Sequence, residues 1–395
     1  MRSLRATQML PAVPNGRSGE KTSFLFPECK RRNIALAALA TALSALGLVM
    51  IYSASSYAAE KNFGDAFYYV KKQAIALFVG LAAMFGVSRV DPVVLKKFRY
   101  VILAISFALL GVIFLPGVGV VSYGARRWID FGFVTMQPSE VAKFGYVIFA
   151  ASYLSEKGLS GFKNVVAVLL SGVAMCILIM LEPNMSITMC VFSVMLFMLL
   201  VGGIPLKKLL ILLVPALLLI PALIVFEPYR LKRLMAFLDP WASPKAEGYQ
   251  LIQSYYALCR GGFFGVGLFE SRQKYLFLPF AESDFIFSII GEELGLVGAV
   301  ATISLFIALI YFGFVTAAKA KTRFESLLAA GITSLVAIQT AVNLAVVTGC
   351  IPPTGLPLPF VSAGGSSLVS FLSAVGVLLA VNRHSSTPFA GDHKI

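Results

Sequence analysis

The feature that most constrains this chain is a series of apolar runs, each long enough to cross a hydrocarbon layer of about 30 Å. They fall near 33–53, 72–89, 100–121, 141–156, 162–181, 185–203, 208–226, 284–317, 326–350 and 366–382. In lipid every backbone amide and carbonyl must be satisfied inside its own segment, so runs of this length fold as helices. Composition agrees, because 58% of the 395 residues are hydrophobic and only 13% are charged, against about 25% in an ordinary soluble domain. The expected fold is an all-α polytopic membrane protein of about ten transmembrane helices. The run 284–317 is too long for one straight crossing and predicts strong tilt or extension beyond the bilayer.

Basic residues set the orientation. The tail cluster Lys30-Arg31-Arg32, then Arg89, Lys96, Lys97 and Arg99, Lys157 and Lys163, Lys207 and Lys208, Lys319, Lys321 and Arg323, and last Arg383 and Lys394 occupy alternate connections. An even helix number with both termini cytoplasmic puts all of them inside. The expected organisation is a disordered basic tail over 1–32, a membrane domain over 33–383 and a cytoplasmic tail over 384–395. No apolar core follows Met1 at signal-peptide distance, so the first helix reads as an uncleaved anchor. The net charge of +14 then reports topology and lipid headgroups, and the chain has no basic soluble face of the kind a nucleic-acid partner needs.

Absences narrow the chemistry. The only histidines, His384 and His393, lie after the last apolar run, which excludes a Ser-His-Asp triad, a histidine zinc site and a histidine proton shuttle within the membrane. No P-loop pattern occurs. The five cysteines (Cys29, Cys176, Cys190, Cys259, Cys350) form no C-x-x-C pair. Cys259 and Cys350 share the predicted outer face, but their spacing alone is a weak argument for a bridge.

One segment breaks the charge pattern. Residues 227–283 form a long outward loop carrying Arg230, Lys232, Arg233, Lys245, Arg260, Arg272 and Lys274 among Trp241, Tyr249, Tyr255 and Tyr256. Basic residues on the outer face point to an anionic ligand there, or to lipid headgroups, since long loops also escape the charge rule.

The same face collects the candidate chemistry. Asp284 opens the eighth run in Glu282-Ser283-Asp284-Phe285; a carboxylate partly desolvated beside cations suits a general base, and Asp also suits a helix N-cap. Glu292 and Glu293 follow two turns deeper, respectively roughly 80° around the helix from Asp284 and nearly opposite it at 100° per residue. The three cannot converge on one ligand, and the pair reads as buried partners for basic or backbone groups. Glu140 and Lys143 stand at i, i+3 after Gln137-Pro138-Ser139 and would pair, either at the site or as a lock on the loop. The run Pro352 to Ser367 contains four prolines and ends in Gly364-Gly365-Ser366-Ser367; a rigid loop with exposed amides at a helix start is a plausible anion cradle, although a plain helix cap reads the same way. A single carboxylate, many cations and an amide-rich loop suit a lipid-linked sugar pyrophosphate, where the substrate supplies both energy and leaving group. Such chemistry requires no cofactor, with a divalent cation on the pyrophosphate left open.

At these residues the chain resembles the SEDS family (shape, elongation, division and sporulation) of peptidoglycan glycosyltransferases. The resemblance runs through Tyr229 to Arg233, Phe237-Leu238-Asp239-Pro240-Trp241, Gly248 to Ser254, Gly265-Val266-Gly267, Ser271 to Lys274, and Asp284 through Gly295. Gly124 to Trp128, Gln137 to Glu140 and Pro352 to Ser367 add to it, and Ile51-Tyr52-Ser53-Ala54-Ser55 with Phe63-Gly64-Asp65 is similar to the FtsW-like division branch rather than the RodA-like one. It implies polymerisation of lipid II at the outer face of the bacterial inner membrane, at the division septum, with Asp284 as catalytic base. Arg127, Lys143, Arg230, Arg233, Gln253, Lys274, Ser362 and Ser366 would bind substrate, with Glu140 and Glu292 as structural support. It further implies a class B penicillin-binding protein as transpeptidase partner, together with other division proteins. The chain departs from the family pattern at Asn184, Arg260, Glu270, Phe280, Glu282 and Ala363, which alters the shell around the site. Two other readings are a lipid II flippase or transporter, which needs ionisable groups along a path through the bilayer, and a non-catalytic divisome scaffold indifferent to Asp284.

Overall fold

The structure, a computed structural model, describes residues 18–386 apart from 123–124, 131–134, 158–161, 206, 208, 212–213 and 215–227. Helices α1 (Ser18–Phe63), α2 (Tyr68–Ser88), α3 (Pro92–Lys97) and α4 (Arg99–Val112) lead into three short strands, β1 (Gly119–Ser122), β2 (Ala125–Asp130) and β3 (Thr135–Met136). Then come α5 (Pro138–Lys157), α6 (Phe162–Leu181), α7 (Met185–Val201), α8 (Pro228–Leu238), α9 (Tyr249–Gly261), α10 (Ile286–Ala318), α11 (Arg323–Val347) and α12 (Gly365–Ser386). Five of these, α1, α2, α10, α11 and α12, are long and apolar enough to span a membrane, and α4, α6 and α7 contain shorter apolar segments. The chain is a helical, multi-pass membrane protein, as its hydrophobic runs predict.

Burial sorts the helices into centre and rim. In the apolar windows of α11 and α12, 67% and 78% of residues are buried, against 22% in α2 and α10. α11 packs on α5, α7 and α10, while α12 packs on α1 and α2. The outer helices present Phe78, Leu170 and Ile307 outward, as helices facing hydrocarbon do. At the end remote from Asp284, Asn382 Nδ2 donates to Cys29 O at 2.9 Å, and Lys319 pairs with Glu28 at 2.9 Å. α1 is thereby tied to α12 and to the end of α10.

Several boundaries differ from expectation. The polar stretch ahead of the first apolar run is helical from Ser18, and the same helix continues to Phe63; once a membrane helix is nucleated, extending it by good formers such as Ala58, Ala59, Glu60 and Lys61 costs little. The expected disorder of the tail therefore does not extend to its second half, and residues 1–17 lie outside the described residues, as does 387–395 of the C-terminal tail. The third run stops at Val112, not near 121: Pro116 and Gly117 break the helix and a β-branched stretch enters the small antiparallel sheet β1-β2-β3. The seventh run, 208–226, falls largely outside the described residues.

The long eighth run resolves its excess length by a kink. Gly295 sits inside α10 at φ 65 and ψ −165, a conformation that needs glycine. A Cβ there would lie 2.2 Å from Gly265 N and 2.6 Å from Phe263 O. The kink lets Leu296 and Val297 donate to the carbonyls of Gly262 and Phe263 at 2.9 and 3.2 Å, which stitches the loop after α9 into the helix. Cys259 and Cys350 are both exposed free thiols.

Candidate active site

Asp284 lies in the turn before α10 and does not cap it; the N-cap position is Phe285, which makes no side-chain cap bond. Its main chain is fixed by Asn343 of α11, whose Nδ2 donates to Asp284 O at 2.8 Å and to Leu356 O at 2.7 Å. The proline-rich loop closes over it from the other side. Ser362 Oγ donates to Ser283 O at 2.7 Å and accepts from Leu358 N–H at 2.7 Å. Ala363 N–H donates to Glu282 O at 2.8 Å. Gly355, at φ 77, comes close enough that a Cβ on it would lie 3.3 Å from Asp284 Oδ2.

The carboxylate is half-buried, and burial raises its pKa above the usual carboxylate range. The Ser283 hydroxyl, donating to Oδ1 at 3.0 Å, and the cations Arg233 and Arg127 oppose that rise. Both arginines are held by main-chain carbonyls: Arg233 donates to Pro353 O at 3.3 Å, and Arg127 donates from Nε to Glu182 O at 3.1 Å and from its fork to Pro183 O. Two anchored cations therefore face one carboxylate that its surroundings bias toward holding a proton. This suits a group that must accept a proton next to departing negative charge. Glu282 is raised chiefly by burial, and Asp284 adds to that.

The other predicted site residues divide into two sets. Ser362 belongs to the loop over Asp284, and Ser366 lies in the first turn of α12, accepting from Gln137 N–H at 3.3 Å. Gln253 is half-buried on α9, and Arg230 sits in the first turn of α8 with its side chain outside the described residues. Lys143 and Lys274, by contrast, are enclosed. Lys143 is bound by Glu140 Oε2 at 2.8 Å and Gln339 Oε1 at 2.7 Å, with its Nζ 4.5 Å from the Phe371 ring centroid. Gln339 Nε2 passes the link to Pro357 O at 2.9 Å, so this buried ion pair braces the proline loop from beneath. Lys274 donates to Phe269 O and lies 3.6 Å from Glu293 Oε1.

Glu292 and Glu293 organise the outward loop. Glu292 accepts from Ser271 Oγ, from Arg272 N–H at 3.0 Å and from Gln273 N–H at 3.3 Å, with Arg260 at 3.5 Å. Glu293 accepts from Ser53 Oγ and from Ser271 N–H at 3.1 Å. The amide cradle expected at Gly364 is already engaged, since Gly364 N–H donates to Gln73 Oε1 at 3.1 Å. Among the described residues no three ligating side chains gather as a metal site.

Sequence reasoning passed over Gln73, Gln339, Asn343 and Glu182. The first three carried a usable signal, being uncharged polar residues inside or at the edge of apolar runs, where such groups need partners. Glu182 carried less, because it stands in a turn.

A multi-helix membrane protein with an interfacial aspartate, two carbonyl-anchored arginines and a proline-rich cover defines the class. The sequence signature of the FtsW/RodA/SpoVE family, described as cell cycle proteins, matches residues 33–387. The chain is 39% identical over 349 residues to stage V sporulation protein E of Bacillus subtilis, covering 87% of this chain and 94% of that one. It is 38% identical over 371 residues to the probable peptidoglycan glycosyltransferase FtsW of Geobacter metallireducens, covering 91% and 97%. Among solved structures it is similar to a chain from a study of how a peptidoglycan synthase complex coordinates polymerization and crosslinking, at TM-score 0.74, 29% identity and coverage of 89% and 97%. It is also similar to the rod shape determining protein RodA of Thermus thermophilus, at TM-score 0.67, 25% identity and coverage of 90% and 98%. The chain belongs to the FtsW/RodA/SpoVE family.

Proposed function

We propose that this protein polymerises lipid II into glycan strands at the outer face of the bacterial inner membrane, in septal wall synthesis. The acceptor hydroxyl oxygen attacks the anomeric carbon of the donor strand. Asp284 takes the hydroxyl proton, and the bond to undecaprenyl pyrophosphate breaks with its electron pair on the departing oxygen. Arg127 and Arg233 steady that charge, a role their influence on Asp284 supports. The observation carrying the reading is the half-buried Asp284 carboxylate with its pKa raised, fixed through its own main chain by Asn343 and acted on by two anchored arginines. Relatives named peptidoglycan glycosyltransferases support the activity, and the synthase-complex neighbour supports a class B penicillin-binding protein as partner.

The test is polymer formation from labelled lipid II by the purified chain with its cognate transpeptidase. Asp284→Ala and Asp284→Asn are expected to lose about 10²-fold or more of the rate, the usual share of a general base. Equal glycan from wild type and both variants would remove Asp284 from the chemistry.

A further inference from the structure

Among the described residues Glu182 is the most anomalous acid. It stands in the turn between α6 and α7 with 1% of its surface exposed, and neither carboxyl oxygen has a hydrogen-bond partner. Its main-chain carbonyl nevertheless receives Arg127 Nε at 3.1 Å, and the next carbonyl, of Pro183, receives the same guanidinium. Arg127 is also one of the two cations acting on Asp284. A single arginine thus stands between a carboxylate at the site and an acid that the arginine touches only through the backbone.

An ionised carboxylate left buried and unbonded is costly, so such a group keeps its proton. Burial accordingly pushes Glu182 up to about 8, with the Arg127 charge opposing the rise. Among the described residues the charged groups on the neighbouring segments are few. β2 contributes Arg126, Arg127 and Asp130; α6 and α7 contribute, among side chains the structure describes, the thiols Cys176 and Cys190; and the loop 351–364 contains no titratable residue. Once Glu182 ionises, Arg127 is the counter-ion in reach.

We propose that Glu182 is a proton-holding positioning residue for the transfer reaction: while neutral it leaves the Arg127 charge directed at Asp284 and the pyrophosphate-bearing substrate, and when ionised it captures Arg127 in a buried ion pair. The step moves one proton from the Glu182 carboxyl to solvent and breaks no covalent bond. The proposal rests on the preceding reading of the site, and it predicts a specific signature. Polymerisation above neutral pH should be limited by a group that is neither Asp284 nor the substrate.

The experiment is the pH profile of kcat/KM for lipid II polymerisation, from pH 6 to 10, for wild type and Glu182→Gln, each normalised to its own maximum. Glutamine keeps the shape and neutrality of the protonated acid and cannot ionise. The wild type is expected to fall about tenfold per pH unit above a midpoint near pH 8, and Glu182→Gln to lack that inflection. The same inflection in both proteins, or none in wild type, overturns the proposal. A second readout needs no activity: pH-difference infrared spectra of Asp284→Asn, and of Asp284→Asn with Glu182→Gln, in the same detergent. A protonated-carboxyl band that titrates near pH 8 in the first and is absent from the second supports it; identical spectra overturn it. If Asp284→Asn still polymerises while the Glu182 band titrates, the assignment of the base fails and the properties of Glu182 stand.

Discussion

Asn343 offers the sharpest separation between a merely packed site and a positioned one. Its side-chain amide spends both hydrogens on main-chain carbonyls, Asp284 O at 2.8 Å and Leu356 O at 2.7 Å, and so joins the turn that carries the carboxylate to the loop that covers it. Asn343→Ala removes two bonds worth about 0.5–1.5 kcal/mol each and leaves two enclosed carbonyls unmatched, a total of about 2–4 kcal/mol. The larger consequence is geometric. With neither tether the carboxylate shifts relative to Arg233, which is anchored on Pro353 of the same loop, and a misplacement of about 1 Å costs on the order of 10²-fold in rate. The assay is glycan-chain formation together with the melting temperature in detergent, and kcat is expected to fall much further than KM rises. Thr340→Val serves as control, because it removes a buried hydroxyl that has no partner in the same helix and is expected to leave stability equal or improved. Wild-type kcat in a destabilised Asn343→Ala protein would refute the idea that this tether sets the position of the base.

Two further outcomes follow from the charges. Arg233→Gln removes a cation that lowers the Asp284 pKa, so the carboxyl holds its proton to higher pH, and the acid limb of kcat/KM is expected to move upward; an unmoved or lowered limb contradicts the assignment. Lys143→Met strands the buried Glu140 carboxylate and is expected to cost about 3–5 kcal/mol, whereas adding Glu140→Gln should recover part of that loss; thermal stability of the two single variants and the double variant measures the coupling.

What the sequence could reveal follows from how each feature is encoded. Helices in lipid are written in composition over some twenty residues, and most apolar runs could be read directly. The sheet β1-β2-β3 could not, because strands of two to six residues give no usable period beside long apolar runs. Asp284 stood out because acids are rare at such depth. The enclosure of Lys143 and Lys274 was not legible, since a lysine on an outer loop and one folded back onto a buried acid look identical until the partner's position is known. Gln339 and Asn343 show the converse. Their place within an apolar run marks them as needing partners, yet nothing local says that each finds one on the proline loop.

The arrangement of acids in α10 explains how a loop at a membrane surface becomes ordered enough to support a site. Glu292 and Glu293 would be expensive alone, being essentially inaccessible. They are matched by consecutive main-chain amides of Ser271, Arg272 and Gln273 and by cations from the same outward loop. The loop thus supplies its own cost of burial in donors, and it cannot drift without exposing two unbonded carboxylates. Asp284, at the other end of the same helical start, is treated in the opposite way: its backbone is tied down at Asn343 and Ser362, while its carboxyl receives only the neighbouring Ser283 hydroxyl. With few donors to favour its charged form, Asp284 is left to burial, which raises its pKa. The donors of the outward loop are therefore spent on the two acids that hold structure, and few are left for the one proposed to take up a proton.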